Sequence, residues 1–179
     1  MTKKIKLSLK FILILQIFFF KYFLIINPAW SIENEEIREK YGVWQKICNL
    51  KNLNCVGSQF AIDSEGNKIG RLIITKAKKN NKNIVSIANI FFPFEKSIVN
   101  LRSGLLITVD QLEPLNEQFY YCDKKGCNAR IQFSSNGNNA LINGSNLTIK
   151  FKDIKKDNQI QVLDISLLEY GKMFENLKY

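Results

Sequence analysis

Histidine is absent from all 179 residues. That removes the commonest general base, every His-based triad and every imidazole-held metal. Acid–base chemistry would fall to carboxylates or lysine. Asp110 and Glu113 follow a strand-like run and are placed to face a cleft, against the plainer reading of a solvated loop. Neither a glycine-rich phosphate loop nor a GxSxG elbow occurs. Arginine is scarce, with only Arg38, Arg71, Arg102 and Arg130, and a nucleic-acid face needs arginines or lysines interleaved with aromatics. Cys-x-x-Cys is also missing, so a thiol oxidoreductase site lacks its usual form. No cysteine directly follows the apolar N-terminal run, which excludes lipid attachment there. These absences predict a protein without catalysis, without a metal or other cofactor, and without a nucleic-acid partner.

Basic residues outnumber acidic ones, 26 to 16, giving a formal charge of +10. Half of that excess lies in residues 1–31, which hold five lysines and no acid. There a basic start (MTKKIKLSLK) leads into an apolar core at 11–26, then Asn27-Pro28, then Ala29-Trp30-Ser31 before Ile32. Small residues three and one before Ile32 complete the pattern of a secretory signal peptide. The alternative is an uncleaved anchor, against which the core is short of the roughly 20 residues that span a bilayer. The expected organisation is a signal peptide at 1–31, a charged, loosely helical or flexible segment at 32–40, and one folded domain at 41–179. The expected location is the periplasm, with membrane attachment only through a retained leader.

The folded part reads as short alternating strands. Its centre is the stretch 119–133, FYYCDKKGCNARIQF, two alternating runs about a polar turn with Cys122 and Cys127 at its shoulders and Gly126 as a positive-φ candidate. Residues 41–48 and 55–62 form a similar pair around Cys48 and Cys55, with Trp44 as core anchor. Further strands are expected at 70–77, 84–92, 105–110, 147–152 and 160–166, with a loop carrying one helical turn near 136–146. Apolar residues at helical intervals (Leu167, Tyr170, Phe174, Leu177) predict a terminal helix. The fold class is all-β, an antiparallel sandwich or barrel-like domain with a short C-terminal helix.

Four cysteines allow three pairings. Loop closure and the two hairpins favour Cys48–Cys55 with Cys122–Cys127 as structural disulfides, against a zinc site or a redox-active pair. Phe91, Phe92, Phe94, Tyr120 and Tyr121 are exposed-looking aromatics; Phe91, Phe92 and Phe94, with the lysines Lys76, Lys78 and Lys79, form the candidate partner surface for an envelope protein or surface component. The bland reading takes the aromatics as core and the lysine run as a solvated turn.

The ordered set YGVW at 41–44, CVGSQ at 55–59, LRSGLLITVD at 101–110, FYYCDKKGCNA at 119–129 and ISLLEYGKMFENL near the end resembles the invasion-associated locus B family of exported bacterial proteins. The resemblance implies a periplasmic or envelope-associated all-β protein without known catalysis, and gives Gln59 a structural role within its motif. In some pathogenic members the family is linked to host-cell invasion, which does not carry over automatically. This chain departs from the pattern at Val43, where an acid is usual, and at Glu169, where a glycine usually precedes the aromatic.

Overall fold

A computed structural model describes residues 36–49, 51, 54–79 and 83–178; of the side chains at 79, 83 and 84 nothing is said. The leader at 1–31 lies outside the described residues, as do 32–35.

In chain order the elements are β1 (Glu36–Tyr41), β2 (Trp44–Asn49), β3 (Cys55–Ile62), β4 (Lys68–Lys79), β5 (Asn83–Pro93), β6 (Leu105–Val109), β7 (Leu115–Glu117), β8 (Phe119–Cys122) and β9 (Gly126–Gln132). Helix α1 (Ser135–Asn143), β10 (Asn146–Asp153), a 3₁₀ turn (Ile154–Lys156), β11 (Gln159–Ser166) and α2 (Tyr170–Glu175) complete it. The strands form one antiparallel sheet of order β7-β6-β10-β11-β3-β4-β5-β9-β8, with the β1–β2 ribbon attached to β3. Its two end strands, β7 and β8, are separated in the chain by Gln118 alone. The sheet therefore curls until its two end strands meet in sequence, a nearly closed barrel. Of the two all-β forms expected, the barrel-like one is found.

Period-2 alternation sends one set of side chains inward. Leu72, Ile74, Ala88, Ile90, Ala129 and Ile131 are buried between outward neighbours. Trp44 is fully buried. Its indole Nε1 donates to the Ser166 carbonyl at 2.9 Å, and its ring meets Tyr170 edge-on at 5.1 Å. Tyr170, Met173, Phe174 and Leu177 bring α2 down onto this core, which matches the helical spacing of the terminal segment. Gly57 makes room for that helix, since a Cβ there would collide with Met173 Sδ and Cε.

Three local readings change. Residues 36–41 are a strand, not a loose entry segment; five of the six are exposed, and pairing with β2 along their whole length orders them, with Tyr41 packed against the core. The run 41–48 is broken by a turn at Gly42 (φ 57°) and Val43, so that β2 starts at Trp44. The stretch near 136–146 carries a nine-residue helix, α1, capped by the Ser134 side chain accepting from the Gly137 amide. β7 was not anticipated at all: three residues, two of them exposed, give no alternation to read.

Both disulfides form as favoured, Cys48–Cys55 and Cys122–Cys127. Each joins directly opposed residues of an antiparallel pair, β2–β3 and β8–β9.

Glu169 occupies the left-handed region (φ 65°) at the start of α2. This is where the family pattern has glycine, and the geometry supplies the reason: only glycine adopts that conformation without a steric cost. Its carboxylate pairs with exposed Lys172 at 3.0 Å, a modest return. Glu169→Gly is expected to raise stability by about 1 kcal/mol, read as a higher urea midpoint at unchanged m-value.

Candidate functional site

A buried polar cluster links the sheet to both helices. Ser86, on β5, is fully buried; its hydroxyl meets the Asn138 side-chain oxygen of α1 and lies 2.8 Å from the Tyr170 hydroxyl. Burial pushes the Tyr170 phenol well above its ordinary value, so it stays protonated. The cluster is internally satisfied and ties α1 and α2 to the sheet. Among the described residues no group of three or more His, Cys, Asp or Glu is placed to hold a metal ion.

The two carboxylates singled out in the sequence part company. Asp110 (φ 49°) accepts from the Ser145 and Asn146 amides, fastening the end of β6 to the start of β10. Glu113 lines a half-open cleft of about 280 Å³ beside the β6–β7 connection, with Leu112, Leu115, Phe133 and Ala140 as apolar walls and Glu117 also lining it. They do not form a pair.

The expected partner surface also divides. Phe92 is a core residue with no exposed area, its ring 4.9 Å from Phe151 and 5.8 Å from Phe119. Alternation along β5 sends it inward, which removes it from any surface. Phe94 is partly buried against the core. Lys76 points to the C-terminal segment. Its ammonium donates to the Glu175 and Leu177 carbonyls at 3.2 and 3.4 Å and lies 5.2 Å over the Phe174 ring. Burial lowers its pKa, with Glu175 opposing. Lys76 thus supports the last helix rather than a rim. Lys78 is exposed; the side chain of Lys79 lies outside those described.

Phe91 faces outward, and the register gives it companions. Phe60 pairs with Arg71, Arg71 with Phe91, Phe91 with Asn128, and Asn128 with Tyr121. These five residues make one outward row across β3, β4, β5, β9 and β8. Phe60 is 46% and Tyr121 52% exposed. The Lys68 ammonium stands 4.5 Å over the Phe60 ring, and Arg71 Nε donates to Ser58 Oγ at 2.8 Å. In the neighbouring row, Ile73 pairs with Asn89 and Asn89 with Arg130. The five strands contain no aspartate or glutamate; acids return in the turns at their ends, as Asp63, Glu65, Glu95 and Asp123. Sequence reading found Phe91 and Tyr121 as outward aromatics but missed Phe60, Arg71 and Arg130. Their one signal was the acid-free composition of β3, β4, β5 and β9.

Gly126 shapes this face by close approach. Its φ is not positive, contrary to expectation; the positive-φ glycines among the described residues are Gly42, Gly66 and Gly104. A Cβ at position 126 would strike the Phe92 carbonyl oxygen and come within 2.8–2.9 Å of the Phe91 ring. Asp123 closes the turn instead, accepting from the Lys125 and Gly126 amides at 2.7 and 3.1 Å. Gly126→Ala is expected to cost about 1–3 kcal/mol, the usual range for forcing atoms into a packed site. Thermal melts check this, and the displaced Phe91 ring should alter the near-ultraviolet dichroism below the transition. Trp44 sits where the sequence put it, and Gln59 is half-buried in β3 with its Oε1 sealed from solvent.

The family model described as invasion associated locus B (IalB) protein matches residues 44–178. The chain belongs to that family. Among solved structures it is similar to invasion associated protein b from Bartonella henselae, with a TM-score of 0.63 and 17% identity, covering 78% of this chain and 94% of that one. At that identity the likeness concerns the fold. No curated protein matches the chain. Family membership agrees with the ordered motifs and both cysteine pairs. The disulfides, each across a strand pair, have the setting of structural staples and give the redox reading no support.

Proposed function

We propose that this protein is an exported, envelope-associated bacterial binding protein without catalytic activity, and that the outer face of β3–β4–β5–β9–β8 engages its partner. The observation that carries the reading is that face: a row of outward aromatics interleaved with Arg71, on strands without a single acid. Large exposed apolar groups ringed by polar and charged ones are the usual mark of an interaction surface. Export is supported by the leader pattern at 1–31 and by the two disulfides, which persist in oxidising compartments.

Two measurements test it. The intact mass of protein exported by its own leader is expected to begin at Ile32 with no free thiol before reduction; a retained leader would make the protein an anchored one. A photo-cross-linking residue at Asn89, on the proposed face, is expected to yield adducts in the cell envelope. The same residue at Thr108 on β6, also on the outside of the barrel, should yield few. Equal yields from both positions, or none from Asn89, would overturn the assignment of this face.

A further inference from the structure

We infer that the partner class of this face is an anionic glycan, a proposal that rests on the binding role assigned above. Three observations converge. First, the aromatic rings recur on every second strand: Phe60 on β3, Phe91 on β5 and Tyr121 on β8, with β4 and β9 between them. Neighbouring strands are about 4.8 Å apart, so successive rings are separated by about 10 Å, comparable to the length of one disaccharide. An extended sugar chain running across the strands would meet a ring at every second unit, where its C–H face can lie against the aromatic surface.

Second, the positions between the rings are hydrogen-bonding rather than apolar. Arg71 and Asn128 lie in the row itself, with Asn89 and Arg130 in the row beside it. Amides both donate and accept, as sugar hydroxyls do, and a guanidinium matches carboxylate or sulfate with two parallel donors. Arg71 is held by Ser58, which fixes its direction. Arg130 is exposed, and its guanidinium makes no side-chain hydrogen bond or ion pair among the described residues. A surface built to dip into lipid would place aliphatic side chains in these positions.

Third, the charge has one sign. Lys68, Arg71 and Arg130 project from strands that contain no carboxylate, so an anionic ligand meets no repulsion from the strands themselves. Among the described residues none of these three cations forms an ion pair, and an acidic glycan supplies the counter-charge that a neutral one lacks.

The test uses the full exported chain and titrates hyaluronate and chondroitin sulfate, with neutral dextran and phosphatidylglycerol vesicles in parallel. Binding to at least one acidic glycan and none to dextran is expected. Phe60→Ala and Tyr121→Ala, both at exposed rings, should each weaken it about tenfold, the effect of truncating one anchoring aromatic. Arg130→Gln should weaken it by a similar factor and flatten its salt dependence, while Lys150→Gln on β10, off this face, should leave it unchanged. Unaltered far-ultraviolet dichroism in all four variants keeps the comparison clean. Loss with Arg130→Gln but not with the aromatic variants would reduce the effect to diffuse charge and overturn the proposal. So would vesicle binding that depends on the same residues, or no binding to either acidic glycan. If glycan binding fails while cross-links from Asn89 persist, the glycan assignment falls and the binding role stands; if both fail, both fall.

Discussion

Trp44→Ala is expected to destabilise the domain by about 3–5 kcal/mol, the range for emptying a large aromatic site in a packed core. The structural reasons are specific. The indole has no exposed area, so all of its volume becomes cavity. Its Nε1 hydrogen bond to the Ser166 carbonyl ties the first core strand to the last, and removing it leaves that carbonyl without its indole donor. The edge contact with Tyr170 is lost as well, and with it part of the seat of α2. Domains of this size hold only about 5–15 kcal/mol in total, so the variant should approach or cross the unfolding threshold at 37 °C. Urea titration followed by far-ultraviolet dichroism measures it. Trp44→Phe should recover part of the loss by refilling the space without restoring the donor. If Trp44→Ala costs less than about 1 kcal/mol, the indole is not the anchor that its burial indicates.

The second large effect concerns the disulfides. Each closes a short loop, Cys48 to Cys55 and Cys122 to Cys127. The chain-entropy relation gives about 2–2.5 kcal/mol for each, or about 4–5 kcal/mol together. The pairs lie in separate hairpins, so the contributions should add. Cys48→Ser with Cys55→Ser, and Cys122→Ser with Cys127→Ser, are each expected to lower the urea midpoint, and the fourfold variant by the sum. A shortfall in the sum would show that one hairpin already persists in the unfolded chain. The location of the second pair adds a functional reading. Cys127 is buried and follows Gly126, where the lack of a side chain leaves room for the Phe91 ring. Loss of Cys122–Cys127 should therefore weaken binding at the outer face, whereas loss of Cys48–Cys55, in the β2–β3 hairpin, should lower stability with less effect on that face.

The sequence was most legible where structure is local. The stretch 119–133 carried its alternation, its turn residues and its cysteines within a few positions, and each became a β8–β9 feature. The terminal helix was equally plain, because Leu167, Tyr170, Phe174 and Leu177 all face the core at helical intervals. Elements whose order comes from partners were not legible. β1 reads EIREKY, charged and nearly all exposed, and becomes a strand because β2 offers a hydrogen-bonding edge. Glu39 shows the same dependence: bonds from Lys46 and then Tyr41 hold its carboxyl below the ordinary value, and both partners are fixed by that pairing and the adjoining turn.

The candidate face was the least legible part. Phe60, Arg71, Phe91 and Tyr121 are far apart in the chain and meet through strand register alone. That register includes a shift between Ala61 and Ile62 that no alternation count predicts. The lysines failed for a related reason. Lys76 looks like one more cation in a solvated run, yet its place in β4 turns it toward the last helix. Phe92 stands between Phe91 and Pro93 in the sequence, and a period of two buries it while leaving its neighbour outside.

The single residue between β7 and β8 has a kinetic consequence. Gln118 keeps the two sheet edges covalently within a residue's reach of each other. A neighbouring molecule that tried to pair with either edge would compete against a strand end presented at the high local concentration a short tether imposes. Transient detachment of β7 from β6, or of β8 from β9, should therefore end in re-pairing far more often than in capture by a second chain. A protein with long, apolar, strongly β-forming segments such as β5 gains from that protection.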